Sequence, residues 1–174
     1  MLVASVILAL EKLQLTFKFE VPKSVVMKIA PYVKEELVYF LDATSKNDVL
    51  RHLVNSSSKV KEISNSDVFY TAIIEREKIV STGIGMGVAI PHAKLSFFGE
   101  FFLVIAILQQ GVEWNALDGA PVRLAFLIGG PDNKQAEYLQ ILSSLTTAIR
   151  DENLRKELMQ ASSADEVVKL FEGL

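Results

Sequence analysis

The chain has 174 residues, half of them hydrophobic and 22% charged, with a formal net charge of −3. This length and composition indicate a single globular domain with enough apolar residues to form a core. The small acidic excess and the lack of a Lys/Arg cluster argue against nucleic acid as a partner. The absence of cysteine excludes disulfides and thiolate metal sites and fits a reducing cytoplasm, and two histidines forty residues apart make a poor metal site.

The N-terminal extension, residues 1–26, differs from the rest of the chain. Residues 2–10 are mostly apolar but too few to span a bilayer, and they lack the cationic start of a signal peptide, so we expect no membrane insertion. Residues 15–21 alternate between apolar and polar side chains, which predicts a strand that ends at Pro22. Two interpretations remain open: an added edge strand, or an over-extended gene start.

The first elements of the main domain are a strand and a helix. Residues 37–41 are apolar and aromatic and predict the first core strand. Ser45 and Asp48 have the spacing of a helix N-cap, and the helix that follows is expected to end in a loop at residues 56–58. His52, on this helix, is expected to face solvent.

A second helix is predicted over residues 67–75 and delivers Arg76 to a glycine-rich segment. Three of its apolar side chains are expected to face inward: Val68, Ala72 and Ile73. In the segment that follows, Gly83 and Gly85 leave amide N–H groups free to face an anion such as phosphate. The segment has no Gly-Lys-Ser/Thr ending and leads into a strand, which excludes a Walker A loop and a dinucleotide fingerprint.

His92 follows this segment on a stiff support, because the buried strand at residues 88–90 ends at a proline. A neutral imidazole, with a reference pKa of about 6.5, can attack phosphorus and carry the phosphoryl group covalently. Arg76 is the nearest cation in sequence for charge stabilisation, and the hydroxyl of Thr82 is a further candidate donor. The opposing interpretation is a histidine that only packs, and the residues alone leave both open.

The same segment resembles the active-site signature of the enzyme IIA component, mannitol/fructose type (type 2), of the bacterial sugar phosphotransferase system, including its nitrogen-regulatory relatives. The matching residues are Glu77, Ile84, Gly85 and residues 88–93, with Arg76 sixteen positions before the histidine. The resemblance covers residues 27–174. It implies a single α/β domain in which a central mixed β-sheet is flanked by helices on both sides, with the histidine at a sheet edge under the glycine-rich loop.

The resemblance also implies a function and its partners. His92 would accept a phosphoryl group from the histidine phosphocarrier protein and pass it to a IIB domain, as part of a cytoplasmic phosphotransferase with no metal and no organic cofactor. The alternative is a regulatory module that docks on kinases or transporters according to its phosphorylation state. A third possibility is a relative that binds partners without being phosphorylated. The imidazole nitrogen that carries phosphate is left open.

Further along the chain, two buried strands are predicted over residues 101–108 and 122–128, and residues 97 and 98 are expected to be exposed aromatics. The strongest predicted helix spans residues 134–150, and the stripe expected to be buried on it is Leu139, Leu142, Leu145 and Ile149. Two shorter helices are predicted to follow.

Tyr138 is the main departure from the family pattern. The resemblance places a second histidine near the start of this helix, beside the acceptor, and Tyr138 stands at that position. A tyrosine can donate a hydrogen bond to a phosphoryl oxygen, but with a reference pKa near 10 it supplies no positive charge. Acceptance of phosphate at His92 is therefore expected to survive, while fast onward transfer is in doubt.

Overall fold

The computed structural model describes residues 28–172, so the predictions for the N-terminal extension lie outside the described residues. Two short 3-10 helices at Ala30–Tyr32 and Glu35–Leu37 come first. The strands are β1 (Val38–Leu41), β2 (Gly83–Gly85), β3 (Val88–Ala89), β4 (His92–Lys94), β5 (Phe102–Val112) and β6 (Val122–Gly130). The helices are α1 (Lys46–Val60), α2 (Ser66–Ile79), α3 (Gln135–Ile149), α4 (Glu152–Gln160) and α5 (Ala164–Glu172).

The six strands form one mixed sheet, in which five follow the order β1-β5-β6-β3-β2 and β4 pairs with β6 outside this order. β5 and β6 pair antiparallel at its centre, and β1 pairs parallel with β5. β3 and β4 both pair parallel with β6, one after the other along the same side. Within the described residues β4 pairs with β6 alone, so His92 lies at a sheet edge, as predicted.

Helices cover both faces of the sheet because the side chains of its long central strand alternate between two apolar cores. Leu103, Ile105 and Ile107 of β5 pack in the core that includes α3, α4 and α5. Val104 and Ala106 pack in the core that includes α1 and α2. The predicted α/β fold with a central mixed sheet between helices is confirmed.

The prediction of a loop at residues 56–58 is wrong, because α1 runs on to Val60. A serine is tolerated inside a helix when its hydroxyl bonds to a carbonyl of the preceding turn. Ser57 does this, since its Oγ donates to the carbonyl of Val54 at 3.0 Å. At the other end of α1 the predicted cap is confirmed, because the Ser45 side chain accepts a hydrogen bond from the Asp48 amide.

The inward faces of two helices differ from the predicted ones. On α2 the buried residues are Phe69, Ile73 and Glu77, spaced four apart, whereas Val68 is 50% exposed. On α3 the buried stripe runs through Tyr138, Ile141, Leu145 and Ile149, and Leu139 is 41% exposed. In both helices a neighbouring aromatic residue takes the core position that was predicted for an aliphatic one.

Only one of the two aromatic residues predicted to be exposed is so. Phe97 is exposed, whereas Phe98 is buried against Phe69 and Phe102.

No helix within residues 28–172 combines the length and apolar character needed to cross a membrane.

Candidate phosphoryl-acceptor site

His92 begins the edge strand β4, and the residue is only 8% exposed. Its Nδ1 lies 2.9 Å from the carbonyl oxygen of Ile90. A carbonyl oxygen only accepts hydrogen bonds, so Nδ1 carries the proton in a neutral ring. The lone pair of the imidazole is therefore on Nε2.

Arg76 reaches the other side of this ring from the last turn of α2. Its Nε donates to His92 Nε2 at 3.1 Å, and its Nη1 donates to the carbonyl oxygen of Val80 at 2.9 Å. The bond to Val80 fixes the guanidinium at the end of its own helix. The structure thus brings Arg76 and His92 together, and the direction of both bonds on the ring agrees with a proton on Nδ1.

The pKa of His92 is lowered from 6.5 to about 4. Burial is the largest cause, and the positive charges of Arg76 and Lys94 lower it further. The hydrogen bond to Ile90 and the charge of Glu77 act in the opposite direction. At neutral pH the ring is uncharged, as a nucleophile must be.

Glu77, next to Arg76, forms a buried network that sequence reasoning did not assign. Its carboxylate accepts hydrogen bonds from the amide of Thr82 at 3.1 and 3.2 Å and from the Thr82 hydroxyl at 2.6 Å. Lys46 of α1 supplies the counter-charge at 3.3 Å, and Trp114 Nε1 donates to Thr82 Oγ1 at 3.3 Å. The network holds the turn that contains Val80, on whose carbonyl Arg76 is anchored.

Thr82 therefore lies in the wall of the site with its hydroxyl proton directed at Glu77. Gly83 is nearby, and its amide donates to Ser81 Oγ at 3.1 Å. A Cβ on Gly83 would lie 2.9 Å from Ala116, so glycine is needed there for close packing. For both residues, direct contact with phosphate stays a prediction.

Gly85 lies at the far end of the glycine-rich hairpin. It pairs with Val88, which is in register with Leu124 of β6, whereas His92 is in register with Ile128. Four residues of strand separate the two positions by about 13 Å. Gly85 therefore does not lie directly above the histidine, as the expected glycine-rich loop would.

An anion does occupy this turn, but it is a side chain of the protein. The Asp118 carboxylate accepts from the amide of Met86 at 2.8 Å and from that of Ala120 at 3.0 Å. A Cβ on Gly85, whose φ is +92°, would lie 3.0 Å from that carboxylate. The glycine pattern correctly indicates an anion-binding turn, but the sequence did not reveal which anion fills it.

Tyr138 lies beside His92, and the centroids of the two rings are 5.6 Å apart. The residue is 2% exposed, and among the described residues its hydroxyl has no hydrogen-bond partner. Burial raises its pKa to about 12, although the nearby Arg76 charge acts in the opposite direction. Tyr138 is therefore a neutral, buried donor that lacks an acceptor.

Lys94 is a second functional candidate that sequence reasoning missed. The sequence could have indicated that Lys94 lies near His92, because side chains two residues apart on a strand share a face and His92 is two positions earlier. Its Nζ donates to Gln135 Oε1 and lies 5.0 Å from the centroid of the Tyr138 ring. The lysine therefore adds a cation to the same face.

Comparison with known proteins gives a consistent set of relatives. The family model described as "Phosphoenolpyruvate-dependent sugar phosphotransferase system, EIIA 2" matches residues 31–173. The fructose-specific EIIABC component of the phosphotransferase system of Bacillus subtilis is 30% identical over 146 residues, which are 83% of this chain and 23% of that protein. A nitrogen regulatory protein of Bradyrhizobium diazoefficiens is 30% identical over 139 residues, which are 79% of this chain and 89% of that protein.

Among solved structures, the nitrogen regulatory protein IIA-Ntr from Neisseria meningitidis is 29% identical and superimposes with a TM-score of 0.76. The superposition covers 82% of this chain and 98% of that one. The chain thus spans less than a quarter of the Bacillus relative and nearly all of the two nitrogen regulatory proteins.

Proposed function

We propose that this chain carries a phosphoryl group on His92. The chain belongs to the EIIA 2 family of the phosphoenolpyruvate-dependent sugar phosphotransferase system, and the proposal starts from that membership. The observation that supports this most directly is the pair of hydrogen bonds on the imidazole. Nδ1 is held by a backbone carbonyl and Nε2 faces a guanidinium, so the nucleophilic nitrogen already points at a phosphate-binding group.

In the proposed transfer, the lone pair of His92 Nε2 attacks the phosphorus of a phosphohistidine on the donor. The new N–P bond forms as the donor's N–P bond breaks, and that electron pair stays on the donor's imidazole nitrogen. The proton stays on Nδ1 and is donated to the Ile90 carbonyl, whose hydrogen bond stabilises the positive charge that develops on the ring. The N–H groups of Arg76 turn from Nε2 to the phosphoryl oxygens.

Tyr138 completes the contacts to the phosphoryl group in this proposal. Its buried hydroxyl lacks an acceptor, and a phosphoryl oxygen on the adjacent histidine is a strong one. Gly83 and Thr82 contribute by shaping the turn that anchors Arg76. We include no contact from Gly85, because its amide lies too far along the sheet.

The proposed phosphate donor is the histidine phosphocarrier protein, and the proposed acceptor is a IIB domain. The similarity to a fructose-specific EIIABC component supports a IIB partner, since there the matching segment is one part of a longer chain. We propose that both exchanges take place in the cytoplasm, and the absence of cysteine is consistent with such a reducing compartment. Two apolar residues close in sequence to the site are exposed, Ile79 three positions after Arg76 and Leu139 next to Tyr138, and we propose that they contact these partners.

A regulatory function is the second candidate, and two observations favour it. Nitrogen regulatory proteins match this chain over most of their own length. Tyr138 also stays neutral, since its pKa is raised to about 12, and it cannot stabilise the transition state with a charge. A regulator would keep the phosphoryl group and dock on a kinase or transporter in one of its two states.

The test is incubation of the purified protein with enzyme I, the phosphocarrier and phosphoenolpyruvate, followed by intact-mass analysis. Wild type is expected to gain one acid-labile phosphate, His92→Ala none, and the matched control His52→Ala as much as wild type. Absence of phosphate on wild type would contradict both functions. Adding a IIB domain then distinguishes the two functions, because rapid loss of phosphate from His92 supports transport and slow loss supports regulation.

A further inference from the structure

Lys94 holds a positive charge on the face of β4 that carries the acceptor histidine. Its ammonium rests between the Gln135 side chain and the ring of Tyr138, which itself lies 5.6 Å from the His92 ring by centroids. Within residues 28–172 it makes no ion pair with a carboxylate. By contrast, Lys46 is paired with the carboxylate of Glu77. Lys94 thus holds only a neutral acceptor, which it can exchange for an anion.

A phosphoryl group on the histidine needs such a cation. It brings about −1.5 to −2 charges at neutral pH into a largely buried site. Arg76 offers one positive charge and has already given one N–H to Val80. The Tyr138 hydroxyl is neutral, and the Tyr138 ring stacks on that of Phe101, with both residues buried. Buried charge that is not neutralised is costly, so one guanidinium leaves the group underpaired.

The charge of Lys94 already acts at His92, because together with that of Arg76 it lowers the pKa of the imidazole. A lysine side chain has four rotatable carbon–carbon bonds and a compact charged end. It can therefore leave a neutral amide oxygen for a phosphoryl oxygen while its backbone stays in the β4–β6 pairing.

We infer that Lys94 is a second phosphoryl-binding cation, which moves from Gln135 to a phosphoryl oxygen when His92 is phosphorylated. The inference rests on the proposed function of His92. No proton is transferred: the ammonium keeps its three protons and exchanges one acceptor for another. Arg76 and Lys94 then neutralise the phosphoryl group from two elements, α2 and β4, and Tyr138 supplies an uncharged hydrogen bond.

The experiment compares Lys94→Gln, Lys94→Arg and the matched control Lys169→Gln, which removes an equal charge from an exposed pair on α5. Phosphorylation is followed with phosphoramidate, a small donor that needs no docking surface, and in parallel with the phosphocarrier. Lys94→Gln is expected to slow phosphorylation about tenfold to a hundredfold, as for loss of a charge-assisted hydrogen bond. Lys94→Arg should retain most of the rate, and Lys169→Gln all of it.

Two spectroscopic readouts separate this role from a structural one. In Lys94→Gln the pKa of the His92 ring, followed by NMR, should rise, and so should the pKa of the phosphoryl group, followed by its ³¹P shift. Rates and pKa values equal to those of wild type, or equal losses in Lys94→Gln and Lys94→Arg, would overturn the inference and leave the proposed function standing. If wild type takes phosphate from neither donor, the proposed function falls and this inference with it.

Discussion

At the scale of single residues, the site depends on the protonation of one imidazole. The Ile90 carbonyl holds the proton on Nδ1, and burial keeps the ring neutral down to a pH of about 4. A lone histidine in a sequence does not indicate the tautomer, which is set by the Ile90 carbonyl and the Arg76 guanidinium. It does not indicate burial either, because burial depends on how the chain packs around the ring. The sequence therefore predicted that His92 is the nucleophile but left open which ring nitrogen would react.

The lowered pKa of His92 makes stability depend on pH. An unfolded histidine binds a proton near pH 6.5 and the folded one only near about 4, so the unfolded chain holds more protons between these values. Stability is therefore lost as the pH falls from 6.5 towards 4, by at most about 3 kcal/mol from this group. Chemical denaturation of wild type and His92→Gln should show this loss in wild type alone. An identical pH dependence in the two proteins would contradict a buried neutral ring.

Tyr138→Phe tests the unpartnered hydroxyl. A buried hydroxyl without an acceptor costs about 1–3 kcal/mol, so removing it should leave the unphosphorylated protein as stable as wild type or more so. The phosphorylated protein should respond in the opposite way, with a shorter lifetime of phosphohistidine. Thermal unfolding and the decay of the phosphorylated mass measure the two effects. A variant that is less stable before phosphorylation, with an unchanged lifetime after it, would show that the hydroxyl has another partner.

At the scale of elements, α2 connects the chemistry to the core. Its buried face ends in Glu77, so that Arg76, one position earlier, points towards the open edge of the sheet and reaches His92. The sequence pattern ended this helix too early, at residue 75, because charged residues at positions 75–78 resemble a solvated terminus. Only the contacts of Glu77 with Lys46 and Thr82 show that one of these charges is internal.

Glu77→Gln tests this network. Glutamine keeps the shape and can still accept hydrogen bonds from Thr82, but it leaves Lys46 without its counter-charge. Removing one member of a buried ion pair costs about 3–5 kcal/mol. The Lys46 side chain is 24% exposed, so we expect a loss at the lower end of this range. Phosphorylation of His92 should also slow, since the turn that anchors Arg76 is loosened.

The matched control is Glu75→Gln, which breaks an exposed pair with Lys78 on the same helix. An exposed pair contributes about 1 kcal/mol or less, so this variant should be close to wild type in both measurements. Equal effects of the two substitutions on urea unfolding would show that the buried network has no special role.

At the scale of the whole molecule, the fold could be predicted because local patterns and the family motif agree. Continuous apolar runs predicted β5 and β6, and the short run at residues 88–90 predicted β3, whereas β4 was not predicted as a strand. Contacts between distant segments could not be predicted. Asp118 fills the glycine turn from 32 residues away, and Gln135 holds Lys94 from 41 residues away. Short-range patterns carry no information on such pairs.

The central claim is that Nε2 of His92 accepts the phosphoryl group while Nδ1 keeps its proton. Long-range ¹H–¹⁵N NMR of the protein phosphorylated by the phosphocarrier tests this most directly, because phosphorus couples to the ring nitrogen that it is bonded to. The expected result is one phosphohistidine, at His92, with phosphorus on Nε2 and a protonated Nδ1. Phosphorus on Nδ1, or on His52 in place of His92, would contradict the account.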